Sequence, residues 1–133
     1  MEPSYIKGIL GEWGIYRKAF GITSQPKIKS ILLEGSPSYF SPENLKSILD
    51  GIILGCDVIS KNDFLFTGHP GETTEEHLKV LKKFGFKRIK IRIYDFAQNV
   101  LQAINRPSCD FSNVENLVKM ARENEFNYIH FGI

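Results

Sequence analysis

The sequence predicts an α/β fold built on a parallel sheet, and three observations carry that prediction. Short β-prone runs alternate with amphipathic helical stretches, turn and capping residues separate them, and the rhythm of about 30 to 35 residues per unit continues without a break. Each strand–helix–strand step in such an order is a right-handed crossover, so the strands lie parallel. The order along the chain is helix, strand, helix, strand, helix, strand, helix, strand, which makes four βα-type units.

The first helix is expected around Tyr5, Ile6, Ile9, Leu10, Trp13 and Tyr16. Gly8, Gly11 and Gly14 interrupt it, each costing up to about 1 kcal/mol against Ala, so it depends on packing. After the breaker stretch from Gly21 to Pro26, Lys27 to Leu33 reads as a strand closed by Glu34-Gly35-Ser36-Pro37. Ser41 then stands as an N-cap with Pro42 at the first helical position, and Leu45, Ile48, Leu49, Ile52 and Ile53 mark one helical face. A second strand, Asp63 to Thr67, runs into Gly68-His69-Pro70-Gly71. Thr73 or Thr74 caps a helix carrying Leu78, Leu81 and Phe84, and Gly85 stops it. The third strand, Arg88 to Tyr94, alternates cleanly; Val114, Leu117, Val118 and Ala121 mark the next helix, and Tyr128 to Ile133 forms the last strand.

The 133 residues, 42% hydrophobic and 24% charged, suffice for one core and read as a single domain over 1–133. Seventeen basic against fifteen acidic residues leave a net charge of +2, scattered along the chain rather than gathered into a tract that would follow a phosphate backbone. Nucleic acid is therefore not an expected partner. No apolar run approaches the roughly 20 residues of a membrane span, and Met1-Glu2-Pro3-Ser4 lacks the features of a secretory leader, so a cytoplasmic location without membrane contact is expected. Cys56 and Cys109 are too few for a disulfide framework or a CxxC clamp and read as free thiols.

Four parallel strands leave two open edges, whereas a closed barrel needs eight strands and about 200 to 250 residues. The expected architecture is thus a partial, TIM-like barrel, fragment-like in extent, with self-association through its open edges. In parallel α/β folds ligands gather outside the carboxyl ends of the strands. Here those ends are Glu34-Gly35-Ser36-Pro37, Thr67-Gly68-His69-Pro70, Tyr94-Asp95-Phe96 and Gly132-Ile133.

The ordered words Leu33-Glu34-Gly35-Ser36-Pro37-Ser38-Tyr39-Phe40-Ser41-Pro42-Glu43-Asn44-Leu45, Gly68-His69-Pro70, Gly85-Phe86-Lys87-Arg88, Asp95-Phe96 and Ala103-Ile104-Asn105-Arg106-Pro107 resemble those of oxygen-independent coproporphyrinogen III oxidases. These are radical S-adenosylmethionine (SAM) enzymes of heme synthesis, and the resemblance runs over roughly residues 5 to 133 in register. It implies a radical SAM partial barrel corresponding to the middle of the family's fold. It further implies SAM and a 4Fe–4S cluster as the family's cofactors, and oxidative decarboxylation of coproporphyrinogen III to protoporphyrinogen IX as the parent reaction. The Gly68-His69-Pro70-Gly71-Glu72-Thr73 word is also similar to the GxPGET run of methylthiotransferases.

The chain departs from the family at stated places. Its CxxxCxxC cluster motif is absent, so no cofactor is expected in this chain alone, and no catalytic or metal-ligating residue is assigned. The family's Gly-Gly-Gly-Thr-Pro loop reads Leu33-Glu34-Gly35-Ser36-Pro37 here, and the family's SAM-contacting acids and glutamine fall at Thr67, Gly132 and Tyr94. Gly35, Ser36 and Arg106 remain as the cofactor-binding positions that the resemblance implies. Turnover by the isolated chain is not expected.

Arg88, Lys90, Arg92 and Tyr94 share one face of the third strand, opposite Ile89, Ile91 and Ile93, although a central parallel strand is normally apolar on both faces. Lys90 and Arg92 are therefore the substrate-binding candidates, facing an anionic small molecule, for which the resemblance implies a porphyrinogen-type ligand, or else open water. Among the remaining polar residues, His69 is expected in a turn or at the surface, with contact to a ligand as the alternative, His77 as a solvated helix residue, and His130 on the last strand. Asp95 reads either as a group that orients a ligand or Arg106, or as a turn residue; Glu34 has no second carboxylate beside it for acid–base work. Three functional readings follow: a truncated or diverged coproporphyrinogen oxidase-like protein, a non-catalytic α/β module that binds porphyrin or another anion, or a fragment without independent function.

Overall fold

The helix that the sequence marks most clearly begins where expected, with the Ser41 hydroxyl accepting the Asn44 N–H at 3.2 Å and Pro42 in the first turn. In the computed structural model, which describes residues 2–61 and 63–133, the chain runs through α1 (Glu2–Ala19), β1 (Lys27–Ile28), β2 (Leu32–Leu33), a 3-10 turn (Pro37–Tyr39), α2 (Pro42–Ile53), β3 (Asp57–Val58), β4 (Leu65–Gly68), α3 (Glu75–Phe84), β5 (Arg88–Arg92), α4 (Gln98–Ala103), α5 (Phe111–Glu123) and β6 (Tyr128–Gly132). Gly85 ends α3 in the left-handed conformation at φ 96°, a geometry that glycine adopts without a Cβ clash. No helix among the described residues is long and apolar enough to cross a membrane.

Four strands form one parallel sheet in the order β2-β4-β5-β6, and β1 pairs with β3 in a separate two-stranded sheet. The α/β partial barrel read from the sequence is therefore the fold. The single strand expected over Lys27 to Leu33 is divided, because its hydrogen-bonding partner changes midway: the Ile28 carbonyl accepts the Ile59 N–H, whereas the Ile31 carbonyl accepts that of Leu65. Strand boundaries also shift. The strand expected at Asp63 to Thr67 occupies Leu65–Gly68, that at Arg88 to Tyr94 stops at Arg92, and that at Tyr128 to Ile133 stops at Gly132. β3 and the short α4 were not expected.

Register sorts the side chains onto two faces. Phe66 pairs with Ile89 and Leu33, and these point with Ile91 toward the helices, where Leu49, Leu78, Leu81, Leu117 and Ala121 complete the core. The opposite, inner face carries Leu32, Leu65, Thr67, Arg88, Lys90, Arg92, Tyr128, His130 and Gly132, by the same two-residue alternation. α1 lies against α2, with Ile6 buried, Tyr5 stacked on Phe40 at 5.9 Å and the Glu2 carboxylate accepting the Ser41 N–H at 2.8 Å. Packing of this kind compensates for its three glycines, as the sequence required.

Candidate functional site

Beyond β4 the chain folds back on itself, since the N–H groups of Glu72 and Thr73 both donate to the His69 carbonyl, at 3.1 and 2.9 Å. The His69 N–H in turn donates to the Ser38 hydroxyl at 3.3 Å, and that hydroxyl donates to Glu72 at 3.4 Å. These bonds lock the β4–α3 loop against the turn that follows β2. Between the carboxyl ends of β2, β4 and β5 they leave a cavity of about 450 Å³. Gly35 and Ser36 line it from beyond β2, Thr67 and His69 from β4 and its loop, Arg92 and Tyr94 from β5, and Arg106 from the segment after α4. Gly35 holds φ at 89°, so its turn requires a residue free of the Cβ restriction.

Polar groups in this cavity, Thr67 and His69, and Thr73 next to its Gly68, are buried without partners. Thr67, His69 and Thr73 expose 2%, 6% and 4% of their surface, and Thr67 Oγ1, His69 Nε2 and Thr73 Oγ1 lack a hydrogen-bond partner among the described residues. The Gly71 N–H donates to His69 Nδ1 at 3.2 Å, which leaves the ring proton on Nε2. Burial lowers the His69 pKa, Glu72 opposes the shift and Arg106 adds to it, so the ring is a neutral N–H donor at neutral pH. The Tyr94 ring is the platform of the cavity: the His69 ring stacks at 6.0 Å and the Arg106 guanidinium lies 4.5 Å from the ring centre. Arg106 also reaches the Ser36 hydroxyl at 3.5 Å.

Gly35, Ser36 and Arg106, the positions implied by the family resemblance, thus come together in one place, and Arg92 joins them. Lys90 does not line this cavity. At about 3.3 Å per residue it sits some 6.6 Å further down the strand, beside Thr67 and His130 in register, with its side chain against Gly132. Glu34 lines a different groove, between α1, β2 and α2. Asp95 takes the turn role, its carboxylate accepting the N–H groups of Phe96 and Ala97 at 2.7 and 2.8 Å.

Two histidines differ from expectation. His69 is in a turn, as read, yet is buried rather than at the surface. His77 is buried too: its Nδ1 accepts the Thr74 N–H at 3.1 Å and its Nε2–H donates to the Phe40 carbonyl at 2.7 Å, which ties α3 to the start of α2. Partners 37 residues apart in sequence make that burial, and periodicity does not register them. Ser38 and Thr73 were also missed. Tyr94 was legible as a cavity residue, because it continues the Lys90, Arg92 alternation past the strand end.

Among the described residues no three His, Cys, Asp or Glu side chains gather closely enough to hold a metal ion. Cys56 donates to the Ile52 carbonyl at the end of α2, and Cys109 is packed with Leu101 and Val114, so the thiols here do not fit a cluster. SAM brings a sulfonium, an ammonium and a carboxylate; a guanidinium suits the carboxylate, whereas Glu72 is the one carboxylate in the cavity lining for the two cationic groups. The lining therefore suits the anionic part of that cofactor and fits its two cationic groups poorly.

Comparison with known proteins gives the same outline. No established family profile matches the chain. It is 31% identical over 86 residues to the heme chaperone HemW of Bacillus subtilis, covering 63% of this chain and 23% of that protein. With the heme chaperone HemW of Lactococcus lactis it is 27% identical over 125 residues, covering 91% and 31%. The coproporphyrinogen III oxidase HemN of Escherichia coli, a radical SAM enzyme, superposes with a TM-score of 0.76 at 18% identity, over 96% of this chain and 29% of that one. The chain therefore spans about a quarter to a third of the length of these relatives, and it is HemW-like in sequence with the fold of part of a HemN-type radical SAM barrel.

Proposed function

We propose that the chain serves heme or porphyrin metabolism as a diverged coproporphyrinogen oxidase-like scaffold, binding an acidic tetrapyrrole on its inner sheet face without itself carrying out the oxidative decarboxylation of the parent reaction. The observation that carries this reading is the pair of half-buried cations, Lys90 and Arg92, on one face of β5 with no carboxylate within ion-pair distance among the described residues. A ligand bearing several carboxylates would neutralise such a stripe, and charge-assisted bonds are the stronger class of hydrogen bond. Similarity to heme chaperones and to a coproporphyrinogen oxidase fold supports the choice of a tetrapyrrole over other polyanions.

Absorption titration of the full chain with coproporphyrin III and with hemin tests the reading. A saturable Soret shift, weakened at least tenfold by the Lys90→Ala, Arg92→Ala double variant, is expected. Unchanged affinity in the double variant defeats it. Anaerobic iron and sulfide reconstitution tests the non-catalytic part, where a stable cluster of four irons would restore the enzymatic reading. Among the described residues β2 and β6 each have one edge without a partner strand, which favours self-association as a second property. Sedimentation across a concentration series reads it directly, and a monomer at all concentrations removes it.

A further inference from the structure

The cavity at the carboxyl ends of β2, β4 and β5 carries a more specific message than the fold it belongs to. We propose that this cavity binds a small oxyanion, a carboxylate- or phosphate-bearing molecule, through the His69 Nε2–H, the Thr67 hydroxyl and the guanidinium groups of Arg92 and Arg106, in place of the cationic cofactor held at this end of the barrel in the family it resembles. The inference concerns the same end of the sheet as the reading above and shares Arg92 with it, but does not require a tetrapyrrole.

Four observations converge. The His69 tautomer is fixed by the Gly71 N–H on Nδ1, so the group presented by Nε2 is a donor, and only an acceptor can satisfy it. Thr67 Oγ1, on the adjoining inner-face position of β4, is equally buried and equally without a partner. Buried polar atoms in folded proteins are almost always bonded, so two such atoms beside one cavity call for a partner there. Arg92 and Arg106 supply two positive charges against Glu72, whose carboxylate faces the Ser38 hydroxyl. Neither arginine has an acidic partner within ion-pair distance among the described residues.

The same arrangement disfavours a sulfonium. Its charge would enter beside two guanidinium groups and a neutral N–H donor, with Glu72 the one carboxylate of the lining. The size is suitable as well: about 450 Å³ lies within the range of small-molecule sites and exceeds what a bare ion needs. The Tyr94 ring holds both donors in place, with the His69 ring stacked at 6.0 Å and the Arg106 guanidinium 4.5 Å from its centre.

Calorimetric titration of the full chain with inorganic phosphate, with succinate and with SAM tests the assignment. At least one of the two anions is expected to bind saturably and at least tenfold more tightly than SAM, and which of them wins separates a phosphate ligand from a dicarboxylate. Arg106→Gln should weaken that anion about tenfold. Thr67→Val, of nearly the same shape, should weaken it several-fold while leaving the circular dichroism melt in place. The imidazole nitrogen resonances of His69 supply a readout that a structural role would not move: Nε2 stays protonated and shifts on anion addition. Binding of neither anion, or tighter binding of SAM, overturns the proposal. Loss of porphyrin binding with phosphate or succinate binding retained would count against the earlier reading alone, and the converse against this one alone.

Discussion

On the helix side of the four-stranded sheet Phe66, Ile89 and Ile91 are wholly buried among leucines of α2, α3 and α5, whereas on the other side of the same strands Leu32 and Tyr128 keep 57% and 51% of their surface exposed. Burial on the first side is apolar and dense, the arrangement that stabilises a fold. On the second side the buried groups are polar, Thr67 and His69, and the half-buried ones are cationic. One backbone therefore supports two surfaces under opposite demands, and the difference separates residues that hold the protein together from residues that leave polar and cationic groups uncompensated.

Substitutions should divide along that line. Phe66→Ala, on the packed side, is expected to cost about 3 to 5 kcal/mol by the loss of a large buried ring, while Leu32→Ser, on the open side, should stay within about 0.5 kcal/mol; urea unfolding of both variants measures the contrast, and equal losses would erase it. His77→Ala should cost about 1 to 3 kcal/mol, because it leaves the Phe40 carbonyl and the Thr74 N–H without their partner. The same unfolding series checks it. Ser41→Ala removes the acceptor at the start of α2 and should cost about 1 kcal/mol.

The smallest expected effect is the dependence on pH. His69 resists protonation in the folded chain, since burial lowers its pKa from the ordinary 6.5, whereas the unfolded chain takes up that proton at the ordinary value. The unfolded state thus binds more protons below about pH 6.5, and stability should fall as the pH drops through that region and be fully present above it. The Glu2, Asp110 and Glu125 carboxylates, held low by hydrogen bonds from Asn44 and Ser41, from Ser112 and Asn113, and from Lys82 respectively, act only at more acidic pH. Melting curves at pH 7.5 and 5.5 should therefore converge in His69→Gln, and an undiminished difference would assign the slope elsewhere.

Much of this division could be read in the sequence. The alternation of Arg88 to Tyr94 gave both faces of β5, and the Ser41-Pro42 cap with its apolar stripe gave α2, because each depends on neighbours only a few positions away. The split between β1 and β2 could not be read: the run from Lys27 to Leu33 stays β-prone while its partner changes from Ile59 to Leu65. α4 escaped because six residues carry too little periodicity, and the burial of His69 and His77 because its causes lie 31 and 37 residues away, at Ser38 and Phe40. Lys90 and Arg92 were correctly paired on one face, yet only Arg92 reaches the cavity, since position along a strand is set by register with neighbours rather than by alternation.

The contact between Lys90 and Gly132 bears on how such a surface changes over evolutionary time. A Cβ placed on Gly132 would fall 2.9 Å from Lys90 Cε, the mobile end of that side chain, so a larger residue there is admitted by a swing of the lysine rather than by a shift of backbone. An aspartate arriving at 132 would place its carboxylate beside the Lys90 ammonium and become its counter-ion. A single mutation at one position can therefore switch this part of the inner face between an uncompensated positive charge and a self-compensated pair. The two sites are epistatic: the effect of losing Lys90 depends on whether 132 is already acidic, so the order in which the substitutions occur determines the charge that the intermediate presents.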